Sequence, residues 1–398
     1  MNSQMVVPTL FHQESAPWRR CNLPVLQEHP GILCGAPVTI IPFGGSINNN
    51  DRLSRLSSSD NGVGKYLIHQ VRLGLLGIEG AAAIGQNSMS PNLTQKDSSM
   101  LGRDDMQRLK EEIELCDAPI ILVAMGLGRA TEVGNYLRQN LSEHVREHKL
   151  IVMTGSHDLF SQHPGDSRFN LGYAQGYRFS AERGVRIALH CGLFKPEEIG
   201  IQLESRGVFF LADADEDRFS PLAPNTLIIG MGGTIEGQEL SVQQKFQAGF
   251  CENYIREQVR PKQMPTFFDI AVAYDSRELT VQHINKLKAT ILGAQQTELV
   301  VTVGTFGAEV VGTKLREDSS FMQALHEKGK KVVFAVAMNL PTEQHSDAFY
   351  NLGFALSAVR HVAPGLYLSV HGLVGEIGSM SKINSGKGGP GPYFAPRR

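Results

Sequence analysis

The strongest constraint on the fold is a duplication. The segment DSSMLGRDDMQRLKEEI (97–113) aligns without a gap on DSRELTVQHINKLKATI (275–291), and both carry apolar residues at helical spacing behind an Asp-Ser pair. That pair reads as the N-cap of the helix in each copy. Downstream, IILVAMGLGRATEVGNYL matches LVVTVGTFGAEVVGTKL, with Gly126 on Gly304. KLIVMTGSHDLFSQHPGDSRFNLGYA then matches KVVFAVAMNLPTEQHSDAFYNLGFA, and GVRIALH matches GLYLSVH. Asp166 falls on Asp347, Asn170 on Asn351 and His190 on His371. The displacement is 178 for Ser98 and Ser276 and 181 for His190 and His371, so one unit is present twice.

Within each unit, apolar β-prone runs alternate with helical patterns: IIPFGG, helix, AAAIG, helix, IILVAMG, helix, LIVMTGS, helix, VRIALH. This grammar predicts an α/β class made of two tandem, doubly wound, mainly parallel sheets, with functional loops at the carboxyl ends of strands. Each unit opens on a strand that runs into a glycine turn and a hydroxyl residue: VTIIPFGGSI (38–47) presents Ser46, and TLIIGMGGTIEG (226–237) presents Thr234. Glycines at such a turn let backbone N–H groups come close to a ligand. The division expected is an N-terminal arm (1–37), a first unit (38–215), a second unit (216–384) and a Gly/Pro-rich tail (385–398), a mobile end or a partner-bound strap. The hinge is placed at 204–224, which is acidic and proline-bearing.

Composition adds exclusions. With 41% apolar and 20% charged residues and a formal net charge of −2, the 398-residue chain has the balance of a soluble globular protein and no global attraction for nucleic acid or a membrane surface. The five cysteines are scattered without a CxxC pair, which fits neither a zinc site nor a disulfide framework and points to a reducing, cytoplasmic setting. No signal-peptide pattern and no uninterrupted run of about 18 apolar residues is found. No metal and no cofactor are expected. His190 and His371 end strands and read as packed or hydrogen-bonded core groups.

Five motifs in order give the second unit a resemblance. GGTIEG from Gly232, YDSRELT from Tyr274, VTVGTFG from Val301, VVFAVAMNLPTEQHSDAFYNL from Val332 and SVHGLVGEIGSMSK from Ser369 are similar to the motifs of the N-terminal domain of the L-asparaginase/glutaminase family. There the patterns are GGTIA, a serine-bearing substrate loop, HGTDT, a GAMRP…DG..NL stretch and a lysine after the last strand. The resemblance implies an asparaginase-type fold in both units and a threonine that attacks a side-chain amide to form an acyl-enzyme. Thr234 and Thr305 match the two family threonines, Lys382 matches the lysine that would activate Thr305, and Ser276 matches the serine that grips the substrate carboxylate. Gly233 and Gly304 would line the substrate with them.

The departures point to an unusual substrate. Phe306 replaces the aspartate that binds the α-ammonium, Val303 replaces a histidine, Arg277 replaces a glutamine, and Phe246 falls on the loop tyrosine that assists the first threonine. The expected reaction is hydrolysis or acyl transfer on an Asn/Gln-like amide whose substrate carries a carboxylate but no free α-ammonium. The alternative is an inactive asparaginase-fold module that binds a small molecule or a protein. Partners expected are a small-molecule carboxylate or amide substrate, with a homodimer left open. In the first unit Ser46, Ser98, Leu127 and Gly128 stand at the positions of Thr234, Ser276, Thr305 and Phe306, and no lysine lies at 201–204, so that unit reads as structural.

Overall fold

Strands without a polar interruption form the centre of each unit: IILVAM (120–125) and LIVMT (150–154) are buried at every position. Runs of this kind suit a parallel sheet covered on both faces. The structure, a computed structural model, describes residues 32–33, 35–36, 38–44, 87–89, 96, 98–158, 164–202, 208–211, 226–237, 249–261, 264–270, 276–343, 346–383 and 393–396. In chain order the strands are β1 (Ile32–Leu33), β2 (Val38–Phe43), β3 (Asn87–Met89), β4 (Ile120–Met125), β5 (Leu150–Thr154), β6 (Gly184–Leu189) and β7 (Gly192–Phe194). They continue as β8 (Ile199–Gln202), β9 (Val208–Leu211), β10 (Thr226–Gly230), β11 (Thr266–Asp269), β12 (Glu298–Thr302), β13 (Lys331–Ala335), β14 (Gly365–Val370), β15 (Leu373–Glu376), β16 (Met380–Ile383) and β17 (Tyr393–Pro396).

The first sheet has the order β3-β2-β4-β5-β6-β7, and the second repeats it as β11-β10-β12-β13-β14-β15. In both, only the last strand is antiparallel. The two doubly wound, mainly parallel sheets are those the repeated strand and helix grammar predicts. The second sheet gains an edge strand from the N-terminal arm, because β1 pairs with β15, Ile32 opposite Gly375. Helices α1 (Arg103–Leu115), α2 (Ala130–Asn140), α3 (Glu143–His148) and α4 (Ser167–Gly176) belong to the first unit. Helices α5 (Phe250–Tyr254), α6 (Val281–Gly293), α7 (Thr305–Glu317), α8 (Ser319–Glu327) and α9 (Ala348–Ala358) belong to the second.

Side chains that alternate along a strand point to opposite faces, and the two faces join different cores. Ile121 and Val123 pack with α1 and α2 residues such as Leu109 and Leu137, and Leu299 and Val301 do the same with Leu287 and Leu315. Ile120, Leu122, Val300 and Val333 face instead one core shared by both units, filled by α4 and α9. Every residue of those two helices is buried. They cross at Gly172 and Gly353: a Cβ on Gly172 would strike the Tyr350 backbone, and one on Gly353 would strike the Phe169 carbonyl. Each contact is the other displaced by 181, so the units face one another about a pseudo-twofold axis, as two subunits of a symmetric dimer would.

Two expectations are corrected. Ser98 and Ser276 lie in separate 3-10 turns; the N-caps are Gly102 for α1 and Thr280 for α6, where the Thr280 hydroxyl accepts from the His283 N–H at 3.4 Å. The tail is not wholly unpaired, because β17 pairs antiparallel with β16, Lys382 opposite Phe394. Within the 204–224 stretch, Val208–Leu211 forms β9, which pairs with β8. AAAIG (81–85) and the segments at 46 and 246 lie outside the described residues. Among the described residues no helix is long and apolar enough to cross a membrane.

Candidate active site

Three loops of the second unit meet at the carboxyl ends of parallel strands. After β10 the backbone turns at Gly232 and Gly233 with φ of 72° and 83°, a conformation that disfavours a side chain, and enters the 3-10 turn Thr234–Glu236. After β12 the chain passes Val303 and Gly304 into α7, with Gly304 as N-cap and Thr305 as first residue. The third loop is the 3-10 turn Ser276–Glu278. A Cβ on Gly233 would collide with the Gly304 backbone, and a Cβ on Gly304 would collide with the Ser276 hydroxyl. Only the absence of side chains at these two glycines allows such an approach. Thr234 and Thr305 each follow one of them directly.

Lys382 comes from β16, which packs against α7. Its Nζ donates to Thr305 Oγ1 at 2.7 Å. Thr305 is 5% exposed and Ser276 8%, whereas Phe306 is 48% exposed and Arg277 is exposed beside Ser276. Thr234 is half-buried. The structure therefore brings together Gly233, Thr234, Ser276, Gly304, Thr305 and Lys382, with Arg277 and Phe306 toward solvent. The amine beside Thr305 and the amides at the α7 N-terminus make a setting in which a hydroxyl can lose a proton and an anion can be received.

Two features behind the site carried no role at the level of sequence. Asp347 accepts the amides of Met338 and Asn339 at 3.0 and 3.1 Å, and Asn351 donates to Asp347 and to Val336 O. The same set recurs in the first unit: Asp166 accepts from His157 and Asp158, and Asn170 donates to Asp166 and Gly155 O. His190 and His371 stand at positive φ in the tight turns after β6 and β14, where their amides donate to Asn170 and Asn351. They are buried, hydrogen-bonded groups, which agrees with the packed role expected of them. The second feature is Glu236, buried behind Thr234 and pushed upward in pKa first by burial.

In the first unit the backbone is kept and the side chains differ. Gly126 has the extended N-cap geometry of Gly304, with φ −76° against −65°. The residue that follows is Leu127, 2% exposed, whose side chain fills the space beside Gly155. Ser98 Oγ accepts the Gly128 amide at 3.1 Å and so closes the loop on itself.

The family model "Asparaginase, N-terminal" matches residues 225–387. No curated protein sequence matches the chain. Among solved structures, the thermostable L-asparaginase from Thermococcus kodakarensis is 13% identical over 76% of this chain and 81% of its own, with a TM-score of 0.35. L-asparaginase I from Vibrio cholerae is 14% identical over 75% and 80%, also at 0.35. The probable cytoplasmic L-asparaginase from Campylobacter jejuni is 13% identical over 76% and 83%, at 0.32.

Proposed function

We propose, from the match of residues 225–387 to the asparaginase N-terminal domain family, that the second unit hydrolyses or transfers the acyl group of an Asn/Gln-like side-chain amide. The observation that carries this reading is the 2.7 Å contact between Lys382 Nζ and the buried Thr305 hydroxyl. Lys382 takes the Thr305 proton, and the hydroxyl oxygen forms a bond to the amide carbon. The carbon–nitrogen bond then breaks, the departing nitrogen receives the proton from Lys382, and ammonia leaves an ester on Thr305. Water attacks that ester, gives its proton to Lys382 and restores the hydroxyl. Thr234 stands on the neighbouring turn, directly after the Gly233–Gly304 contact.

Substrate class follows from the rim. Arg277 and Ser276 suit a carboxylate, and Phe306 offers an apolar surface where the family pattern has an acid for an α-ammonium. An N-acylated or peptide-linked Asn or Gln fits this pair better than the free amino acid. Incubation of the full chain with free, N-acylated and peptide-linked Asn and Gln, with ammonia detection and mass analysis of Thr305, tests the reading. Equal silence from wild type and Thr305→Ala on every compound sinks it.

A second reading is favoured by Phe306 and Leu127: the chain is an inactive asparaginase-fold module that binds a small molecule or a protein. Saturable binding of the same compounds without ammonia release, unaffected by Lys382→Met, would support it.

A further inference from the structure

Glu236 lies two residues beyond Thr234 and takes no part in the chemistry above. It is 6% exposed, at the end of the 3-10 turn, and its carboxyl bridges three elements. Oε1 lies 2.5 Å from Thr302 Oγ1 at the end of β12, and Oε2 accepts the Cys251 amide at 3.1 Å in the first turn of α5. Thr302 precedes Thr305 by three residues on the segment that presents it. One side chain thus ties the Thr234 turn to the strand leading to Thr305 and to the helix packed behind both. Among the described residues no cation stands within ion-pair distance of it. Among the described residues, the titratable groups facing it are Asp269 from the end of β11 and the Cys251 thiol, with Glu252 beyond Asp269. The two carboxyls flank Gly230: a Cβ there would strike Asp269 Oδ1 and stand 3.7 Å from Glu236 Oε1.

We propose that Glu236 is a positioning residue that carries a proton, and that this neutral carboxyl, bonded to Thr302 and Cys251, holds the Thr234 turn in register with Thr305. The proposal rests on the hydrolase reading of that site. Either form satisfies these hydrogen bonds, since an ionised Glu236 would accept both the Thr302 O–H and the Cys251 N–H; burial beside the carboxyl of Asp269 is what favours the proton. With Glu236 neutral, the Thr302 hydroxyl, which lies 2.5 Å from Oε1 and 3.4 Å from Ile229 O, can turn its proton to Ile229 O and receive the carboxyl O–H, while the second carboxyl oxygen accepts the Cys251 N–H. An ionised Glu236 would be a buried anion facing Asp269 with no offsetting cation among the described residues. Burial raises the pKa of Glu236, with Asp269 adding to it; burial and Glu252 raise that of Asp269; and the Cys251 thiol is pushed well above its ordinary value and stays neutral.

The sign of the pH dependence follows. A carboxyl whose folded pKa lies above its unfolded value stabilises the fold at low pH, and that contribution is lost as pH rises through the folded pKa. Glu236→Gln keeps the neutral pattern at every pH, its amide N–H replacing the carboxyl O–H toward Thr302. The full-length protein, as wild type, Glu236→Gln, Glu236→Leu and Asp269→Asn, is melted between about pH 5 and 9, the range in which buried carboxyls titrate. Wild type is expected to lose melting temperature with rising pH relative to Glu236→Gln, and Asp269→Asn to keep a pH-dependent loss. Hydrogen exchange across residues 231–237 should rise in Glu236→Leu and stay at the wild-type level in Glu236→Gln. On an active substrate, Glu236→Leu should lower kcat by about tenfold or more with KM little changed, as expected for misplaced groups, while Glu236→Gln holds it to higher pH.

Superimposable pH–melting curves for wild type and Glu236→Gln overturn the proposal. So does loss of the dependence in Asp269→Asn alone, which places the proton on Asp269, or unchanged exchange in Glu236→Leu. If no variant and no wild type turns over any amide while the melting and exchange differences persist, the hydrolase reading fails and the structural role of Glu236 stands.

Discussion

At the scale of single residues the site is a short list of side chains with separable duties. Lys382 supplies one amine at 2.7 Å from Thr305, and two substitutions divide its charge from its basicity. Lys382→Met is expected to lower kcat by about 10²- to 10⁴-fold, the usual contribution of a positioned proton-transfer group. Lys382→Arg keeps the cation but cannot give up its proton, so steady-state ammonia release should fall nearly as far. Thr305→Ser keeps a hydroxyl and should retain measurable turnover where Thr305→Val has none. Phe306 offers a test by gain: Phe306→Asp places an acid where the family pattern has one, and KM for free asparagine or glutamine is expected to fall relative to their N-acylated forms. A KM ratio identical to wild type would show that Phe306 does not set this preference. These residues were legible because each sits in a motif whose order survives in the chain. Glu236 was not, because its role depends on Thr302 and Cys251, 66 and 15 residues away, and no local pattern records such a pairing.

At the scale of elements, the position of Lys382 depends on a two-stranded ribbon. β16 carries the lysine, and its partner β17 comes from the tail. Two isolated strands are marginally stable in water, so removal of residues 392–398 should release the lysine more than it weakens the fold. Expected is a fall of about tenfold or more in kcat/KM, the scale of a misplaced catalytic group, with a melting temperature lowered by only a few degrees; an unchanged kcat/KM would show that β16 holds Lys382 unaided. Composition hides this element, since SGKGGPGPYFAPRR reads as a glycine- and proline-rich end and β17 begins only at Tyr393. The caps were hidden for a related reason. Asp-Ser looks like a cap at each helix start, yet Ser276 is drawn against Gly304 and Gly307 and Ser98 against the Gly128 amide. Thr280 and Gly102 are left to begin the helices. Central strands such as IILVAM and KVVFA, by contrast, were plain from their unbroken apolar runs.

At the scale of the molecule, one chain contains the equivalent of a symmetric pair. α4 and α9 share a single buried seam, and Gly172 and Gly353 are its matching close contacts. Either Gly→Ala change adds helix propensity, yet each new Cβ meets backbone, which cannot swing aside as a side chain can. Both are expected to destabilise, by about 1–3 kcal/mol, and to a similar extent. Gly293→Ala, at an α6 end with open space around it, should be neutral or slightly stabilising. Urea unfolding of the three variants checks this, and unequal costs at the two seam glycines would argue against the pseudo-twofold relation. Tyr254 of the second unit also reaches across, donating to Gly165 O at 2.7 Å, so the first unit supports α5, the helix that bonds Glu236. The sequence by itself determined the duplication, the strand and helix alternation, and which copy keeps the hydroxyls and the lysine. Periodicity and motif order are local properties, and a pairwise offset needs no coordinates to be seen. Only the tertiary structure decided that Lys382 lies against Thr305, that the arm completes the second sheet, and that the two units share one core. Those facts depend on contacts between residues tens to hundreds of positions apart, which are fixed by how the buried faces of α4 and α9 close against each other.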